Sequence, residues 1–290
     1  MSCRVKHRAF KSQAGMYDLE FLYGLKKGSK KEVIAWCMGM DMIAKEYVCP
    51  TCGEKMVLTE NNCSDGYAWV CRKFGVNEHH TKRTVRKGSW FSESKLTIPE
   101  VLILTYLWLK KTPNDWIVDE VNVSEPTVVD WKSFCREVCL DRKYNRGKRV
   151  DGKWVFGGVK RGSKRSFFAW LRIEITKKNF EPGTTVLSDC WASYNGLTAE
   201  GYVHHTVNHS KNYKDPVTGA HTNGIEGTWN AIKTDFRKQG TRRVEGQFDI
   251  YLAEYMWRRI HQGASMKSLF PSFIRGVTEL YPPHTQDTVE

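Results

Sequence analysis

Apolar residues recur at three- and four-residue spacing in several stretches of the chain, and each such stretch predicts a helix. K-K-E-V-I-A-W-C-M-G-M (30–40) is the first. P-E-V-L-I-L-T-Y-L-W-L-K-K (99–111) opens with Pro99, which suits a helix N-terminus because the lost N–H would have no partner there. Its nine-residue apolar run, V-L-I-L-T-Y-L-W-L (101–109), is too short to cross a bilayer and predicts a buried helix. P-N-D-W-I-V-D-E-V (113–121) and T-V-V-D-W-K-S-F-C-R-E-V-C (127–139) flank a tight N-V-S-E-P turn. Ser124 is a good N-cap there, with Glu125 and Pro126 in the first turn. Two helices about such a turn predict a helix-turn-helix-like unit over 95–140, with the 127–139 helix as DNA reader. A plain helical hairpin that only packs its neighbours together is the alternative. V-E-G-Q-F-D-I-Y-L-A-E-Y-M-W-R-R-I-H (244–261) predicts a late amphipathic helix, and the tail 277–290 is polar and expected to be loose.

The 290 residues can hold two or three small modules, one with a sizeable core, and 40% hydrophobic content excludes wholesale disorder. The formal net charge of +13 points to a polyanion partner, although a ribosomal or membrane-surface protein would share it. Many of the cations are concentrated between Arg142 and Arg165, where Lys143, Arg146, Lys148, Arg149, Lys160 and Arg161 are interleaved with Tyr144, Trp154 and Phe156. That mixture predicts a hairpin lying against DNA phosphates, against the plainer reading of a solvated face. The N-terminal M-S-C-R-V-K-H-R-A-F-K has no apolar core for a signal peptide, and no membrane span is expected.

Nine cysteines, an odd number with two in a C-x-x-C, argue for a reducing compartment and a metal site over a disulfide framework. The protein is therefore expected inside the cell, in the nucleus if the host is a eukaryote. Cys49 and Cys52 bracket Pro50 and Thr51, with Gly53 following, a knuckle that turns two thiolates onto one ion. Cys71 follows the strand-like Y-A-W-V. Three ligands need a fourth to close a tetrahedral structural zinc site, and His79, its near rival His80, and Cys63 in the intervening loop are the candidates.

Two acids stand out. V-L-S-D-C-W reads as a buried strand delivering Asp189 at its C-terminal end, and H-T-N-G-I-E-G-T-W-N-A-I-K reads as the start of a helix carrying Glu226. A strand-end Asp and a helical Glu that converge suit two-metal phosphoryl chemistry, because hard divalent cations want oxygen ligands from rigid elements. Lys233, two turns further along the same helical face, could touch a phosphate. The plainer reading is a solvated acid and a helix-first-turn Glu favoured by the dipole.

The stretches G-K-W-V-F-G-G-V (152–159), P-G-T-T-V-L-S-D-C-W-A-S-Y (182–194), V-N-H-S (207–210) and D-P-V-T-G-A-H-T-N-G-I-E-G-T-W (215–229) resemble the catalytic domain of Merlin-type DDE transposases and their bacterial insertion-sequence relatives. The resemblance runs from about residue 30 to 265. It implies an α/β chain: a helical lead-in (1–46), a zinc ribbon (47–94), the helix-turn-helix-like unit (95–140) and an RNase H-like mixed-sheet catalytic domain (141–276). It implies DNA cleavage and strand transfer at transposon ends, with two magnesium ions held by three acids. Asp189 carries over as the second acid and Glu226 as the third, with Asn223, His221 and His209 in supporting positions, and the match to the family's ribbon points to His79 as the fourth zinc ligand beside Cys49, Cys52 and Cys71. It also implies DNA as partner, both terminal repeats and target, and a homo-oligomer when bound.

The first acid does not carry over. The family places an acid-bearing strand several residues before K-Y-N-R-G, whereas here R-E-V-C (136–139) runs almost directly into L-D-R-K-Y (140–144). The strand and its acid read as deleted, and a second shortening falls between Phe168 and Pro182. Asp141 is a stand-in, placed late for the family's pattern. A non-catalytic, DNA-binding regulator is the alternative function.

Overall fold

A computed structural model describes residues 17–144, 155–161, 166–170, 181, 183–190, 194, 196–238 and 248–287. The chain is mixed α/β with small sheets, and it divides into two compact units, Met1–Lys143 with Gly263–Glu290, and Tyr144–Gln262.

The first unit begins with two short helices, α1 (Leu19–Lys27) and α2 (Lys30–Gly39). The Asp18 carboxylate caps α1 by accepting from the Phe21 N–H, and Ser29 and Glu32 form a reciprocal capping box at the start of α2. Three antiparallel strands follow, β1 (Val57–Glu60), β2 (Tyr67–Lys73) and β3 (His79–Thr84), in that spatial order. β2 is central, with Val70 opposite Val57 on one side and Lys82 on the other.

The predicted buried helix is α3 (Ile98–Leu109), set by a second capping box, Thr97 with Glu100, and by Pro99 in its first turn. It is apolar all round and is covered on every side, as a helix without a polar face must be. Thr105, its buried hydroxyl, donates to Val101 O (2.8 Å) and accepts from Trp131 Nε1 (3.0 Å), so neither polar group is left unmatched in the core. Trp131 belongs to α5 (Glu125–Tyr144), which follows α4 (Asn114–Val121) across a turn where Asn122 takes a left-handed conformation (φ 58°). The Ser124 hydroxyl accepts from the Thr127 N–H (3.4 Å), the cap expected of it.

Helix α8 (Met266–Leu280) completes this unit and was not foreseen. Phe270, Phe273, Ile274 and Val277 are buried along one stripe; Phe270 lies against Tyr17 and Tyr106, and Phe273 against Trp90 and Trp108. Pro271 inside the helix weakened its signal in the sequence, but the aromatic stripe outweighs one missing backbone hydrogen bond. The tail also differs from expectation: residues 277–280 finish α8, and 284–287 are pinned. Val48 N–H donates to Thr285 O (2.7 Å), Tyr47 donates to Asp287 Oδ1 (2.7 Å), and Arg83 holds Asp287 through Nε and Nη2.

The second unit holds an antiparallel pair, β4 (Val155–Val159) with β5 (Ser166–Trp170), and a parallel pair, β6 (Thr185–Asp189) with β7 (Val203–Val207). Helices α6 (Asn223–Lys238) and α7 (Phe248–Ile260) pack together through Ile232, Leu252 and Met256. A second small cluster, Val186, Leu197 and Tyr202, seats the β6–β7 crossover. The segment 171–180, where the second shortening was read, lies outside the described residues.

Candidate metal centre and carboxylate pair

Cys49 and Cys52 lie on the turn before β1, while Cys71 and His79 sit near the end of β2 and at the start of β3. The turn folds as it does because Gly53 takes φ 73°, letting its N–H donate to Cys49 O (2.8 Å). The four ligand atoms gather within 4.8 Å of one another. Cys49 Sγ and Cys71 Sγ lie 3.5 and 3.4 Å from His79 Nε2, and Cys52 Sγ lies 3.7 Å from Cys71 Sγ. A tetrahedral zinc with bonds of about 2.3 Å to sulfur and about 2.0–2.1 Å to nitrogen sets ligand–ligand edges of roughly 3.5–3.8 Å. The distances match that polyhedron, and the sulfurs are too far apart for a disulfide, whose bond is about 2.05 Å. All eight cysteines in the described residues are free thiols.

The surroundings favour metal binding too. Burial opposes ionisation of Cys49, but backbone N–H groups of Cys52 and Thr51 and the neighbouring thiols outweigh it, bringing the group down to about 6. Burial and the adjoining sulfurs push Cys71 up to about 12. Crowded thiols that resist sharing negative charge are what a divalent cation relieves. His79 Nδ1 lies 2.8 Å from Asn77 O, which fixes the proton there and leaves Nε2 as the ligand. The expectation of His79 over His80 and Cys63 agrees with this cluster, which could hold a metal such as zinc. It is the only such group of three or more ligands among the described residues.

Asp189 stands at the C-terminal end of β6, opposite Val207 of β7, with its side chain exposed. Its charge, after burial, helps push the Tyr194 phenol up to about 12. Glu226 lies in the first turn of α6. Thr222, which the sequence reading passed over, donates its hydroxyl to Glu226 Oε1, and His209 Nε2 lies 2.6 Å from the same hydroxyl and 3.3 Å from that oxygen. The relay runs from imidazole N–H to hydroxyl to carboxylate, so Oε1 is held. A threonine four residues before a glutamate at a helix start was the available signal. Of the supporting positions, His221 Nδ1 and Asn223 Oδ1 are buried without a hydrogen-bond partner, and the His221 carbonyl accepts from Arg161 (3.0 Å).

Asp141 lies on α5, since the backbone of residues 137–144 is helical and not a strand; its side chain and that of Lys143 lie outside the described residues, as do Arg146, Lys148 and Arg149 entirely. Lys160, Arg161 and Lys233 are exposed. Between residues 125 and 140 the exposed positions of α5 include Val129, Asp130, Phe134 and Glu137 and no cation. Lys132 is turned onto Thr112 O (2.9 Å) and Asn114 Oδ1 (2.6 Å), and Arg136 is buried.

Residues 137–259 match the ISXO2-like transposase domain family. An uncharacterized transposase-like protein of Haemophilus influenzae is 29% identical over 86 residues, covering 30% of this chain and 68% of the relative. No solved structure matches. These matches support a transposase family and a transposase-derived protein. No helix in the described residues is long and apolar enough to cross a membrane.

Proposed function

We propose that this chain binds DNA as a transposase-derived protein, by descent a Merlin-type enzyme that cuts and joins transposon ends in an RNase H-like domain. The observation that carries this reading is the family match over 137–259, which contains both acids on the elements expected of them, a strand end for Asp189 and a helix start for Glu226. Their oxygens are the donors that hard cations prefer. Magnesium ions bound there would polarise the scissile phosphate and activate the attacking water. The chain's own part is to orient: Thr222 and His209 hold Glu226 in one rotamer, and exposed Lys160, Arg161 and Lys233 offer charge to the backbone.

DNA contact is assigned to the 142–165 segment and to these exposed cations. The 127–139 stretch of α5 is not kept as the reader, because its exposed positions present Asp130 and Glu137 to a polyanion. The alternative, a DNA-binding regulator without catalysis, draws on one specific observation: the backbone of 137–144 is helical, so Asp141 does not stand on a strand as a first acid would.

Cleavage of matched terminal-repeat DNA tests the choice. The chain as written should show little magnesium-dependent cutting, because losing a bridging carboxylate reduces the rate by orders of magnitude. Restoring an acid-bearing strand from a relative should recover it. Robust cutting by the chain as written, abolished by Asp141→Ala, would overturn the deletion reading and make Asp141 the first acid.

A further inference from the structure

The β2–β3 hairpin tip exposes two apolar side chains that the fold does not use. Phe74 is 72% exposed and Val76 92% exposed. A single exposed apolar residue is ordinary, but two largely exposed ones at one tip call for an occupant. The tip is stiffly mounted. Cys71 and His79 stand at its base and belong to the candidate zinc cluster, so a metal there would clamp both strands where the loop begins. Gly75 (φ 84°) and Asn77 (φ 67°) in left-handed conformations turn the chain back.

The charge beside the tip says what the occupant is. The cations of this hairpin are spent unequally. Lys73 is paired with Glu54, Arg83 with Asp287, and Arg86 with the buried Asp65. Arg72 instead stacks over Phe74, its guanidinium carbon 4.9 Å from the ring centroid. His80 lies directly across from Arg72, and Lys82, two residues on, shares their sheet face and reaches only the amide oxygen of Asn61 (2.5 Å). Among the described residues no carboxylate pairs with Arg72 or Lys82; Glu78 is the one acid at the tip. An apolar point flanked by cations on one face is complementary to DNA, where phosphates flank stacked bases.

We propose that the hairpin tip is a DNA wedge: Phe74 and Val76 press into a base step of duplex DNA and partly unstack it, while Arg72 and Lys82 lie on the flanking phosphates. This rests on the DNA-binding reading above but not on any catalytic one. A rigid wedge would distort the duplex without reading a long sequence.

The test uses the full chain, zinc-loaded, and mixed-sequence duplexes of about 30 base pairs carrying 2-aminopurine at successive steps. The wild-type protein should raise the fluorescence of the probe on binding, as unstacking does. The Phe74→Ala/Val76→Ala double variant should bind about ten-fold more weakly and give no rise even at saturation. Arg72→Gln with Lys82→Gln should keep the rise at saturation but lower the salt slope by about two. Zinc content and circular dichroism should be unchanged in each, since these side chains are exposed. If the wild type binds and the double variant gives the same affinity and the same rise, the wedge is refuted while DNA binding stands. If the wild type binds no duplex at all, the DNA reading itself fails. If instead the double variant dissociates a dimer seen by sedimentation and leaves DNA binding intact, the tip is a self-association surface and the wedge is refuted.

Discussion

The cysteine-rich sheet and the two carboxylates of the second unit both offer ligand-type side chains, yet they are built differently. In the sheet, four ligand atoms from three places in the chain gather at distances that suit one tetrahedron, with backbone groups supporting Cys49 and His79. The carboxylates are set differently: Glu226 has a hydroxyl and an imidazole on one oxygen, and Asp189 lies at an exposed strand end. The difference teaches that a site's completeness is a matter of geometry at the ligand atoms. A structural metal site shows it in sulfur–sulfur and sulfur–nitrogen distances, whereas a pair of acids on the right elements remains only a pair.

The largest effect should come from breaking the sheet's side of that comparison. Structural zinc contributes on the order of 10 kcal/mol to small metal-folded modules. The purified chain should carry one zinc, and Cys49→Ser should lose it together with the near-ultraviolet circular dichroism of the first unit. By contrast, Asp189→Asn and Glu226→Gln should leave zinc content and the melting curve unchanged, because both acids are largely solvated. A chain that stays fully folded without metal would show that the cluster is an ordinary group of thiols.

A second, smaller effect tests the polar core beneath the sheet. The Asp65 carboxylate takes two hydrogen bonds from Arg86, whose Nη1 also donates to Ser94 O (2.9 Å) and Leu96 O (2.7 Å), and both side chains are nearly inaccessible. Asp65→Ala leaves that guanidinium buried beside carbonyls alone, and should destabilise by about 3–5 kcal/mol in a urea melt. The Asp65→Ala/Arg86→Met pair should recover much of this. If the single variant melts like the wild type, water reaches the arginine and the pair is not a core element.

How much of this was legible in sequence follows from the range of the interactions. The C-x-x-C turn, the capped apolar helix over 99–111 and the Thr127–Cys139 helix are local patterns, and each recurs as α-helix or knuckle within a few residues of its predicted ends. His79 was legible through the resemblance to the family's ribbon, and the strand hairpin that returns it to Cys71 is the physical reason the spacing works. The Arg86–Asp65 pair, the docking of 284–287 onto the sheet and the burial of α8 against Trp90 and Trp108 join residues far apart, and no periodicity reports such partners. Thr222 fell between the two cases: adjacent in sequence to the acid it serves, but recognisable only once the helix start was fixed.

The smallest predicted effect sharpens that last contrast, since it concerns a long-range partner. Asp287 accepts from Arg83 and from Tyr47, and the guanidinium bonds above all hold its carboxyl below the ordinary aspartate value, while burial and the Asp287 charge raise the Tyr47 phenol. A group whose folded pKa is depressed stabilises above its unfolded pKa and loses that contribution as pH falls through the folded value. The clamp should therefore hold at neutral pH and release in acid, below the ordinary aspartate value of 3.8. Asp287→Asn should lower stability at pH 7 by about 1 kcal/mol, a modest figure because solvent screens a half-exposed pair. The difference between the variant and the wild type should shrink as the pH is lowered toward 3. Hydrogen exchange at Val48, whose N–H is bonded to Thr285 O, should accelerate in the variant at pH 7. Equal exchange in both proteins would mean that the backbone bond, not the Arg83–Asp287 pair, holds the tail on the sheet.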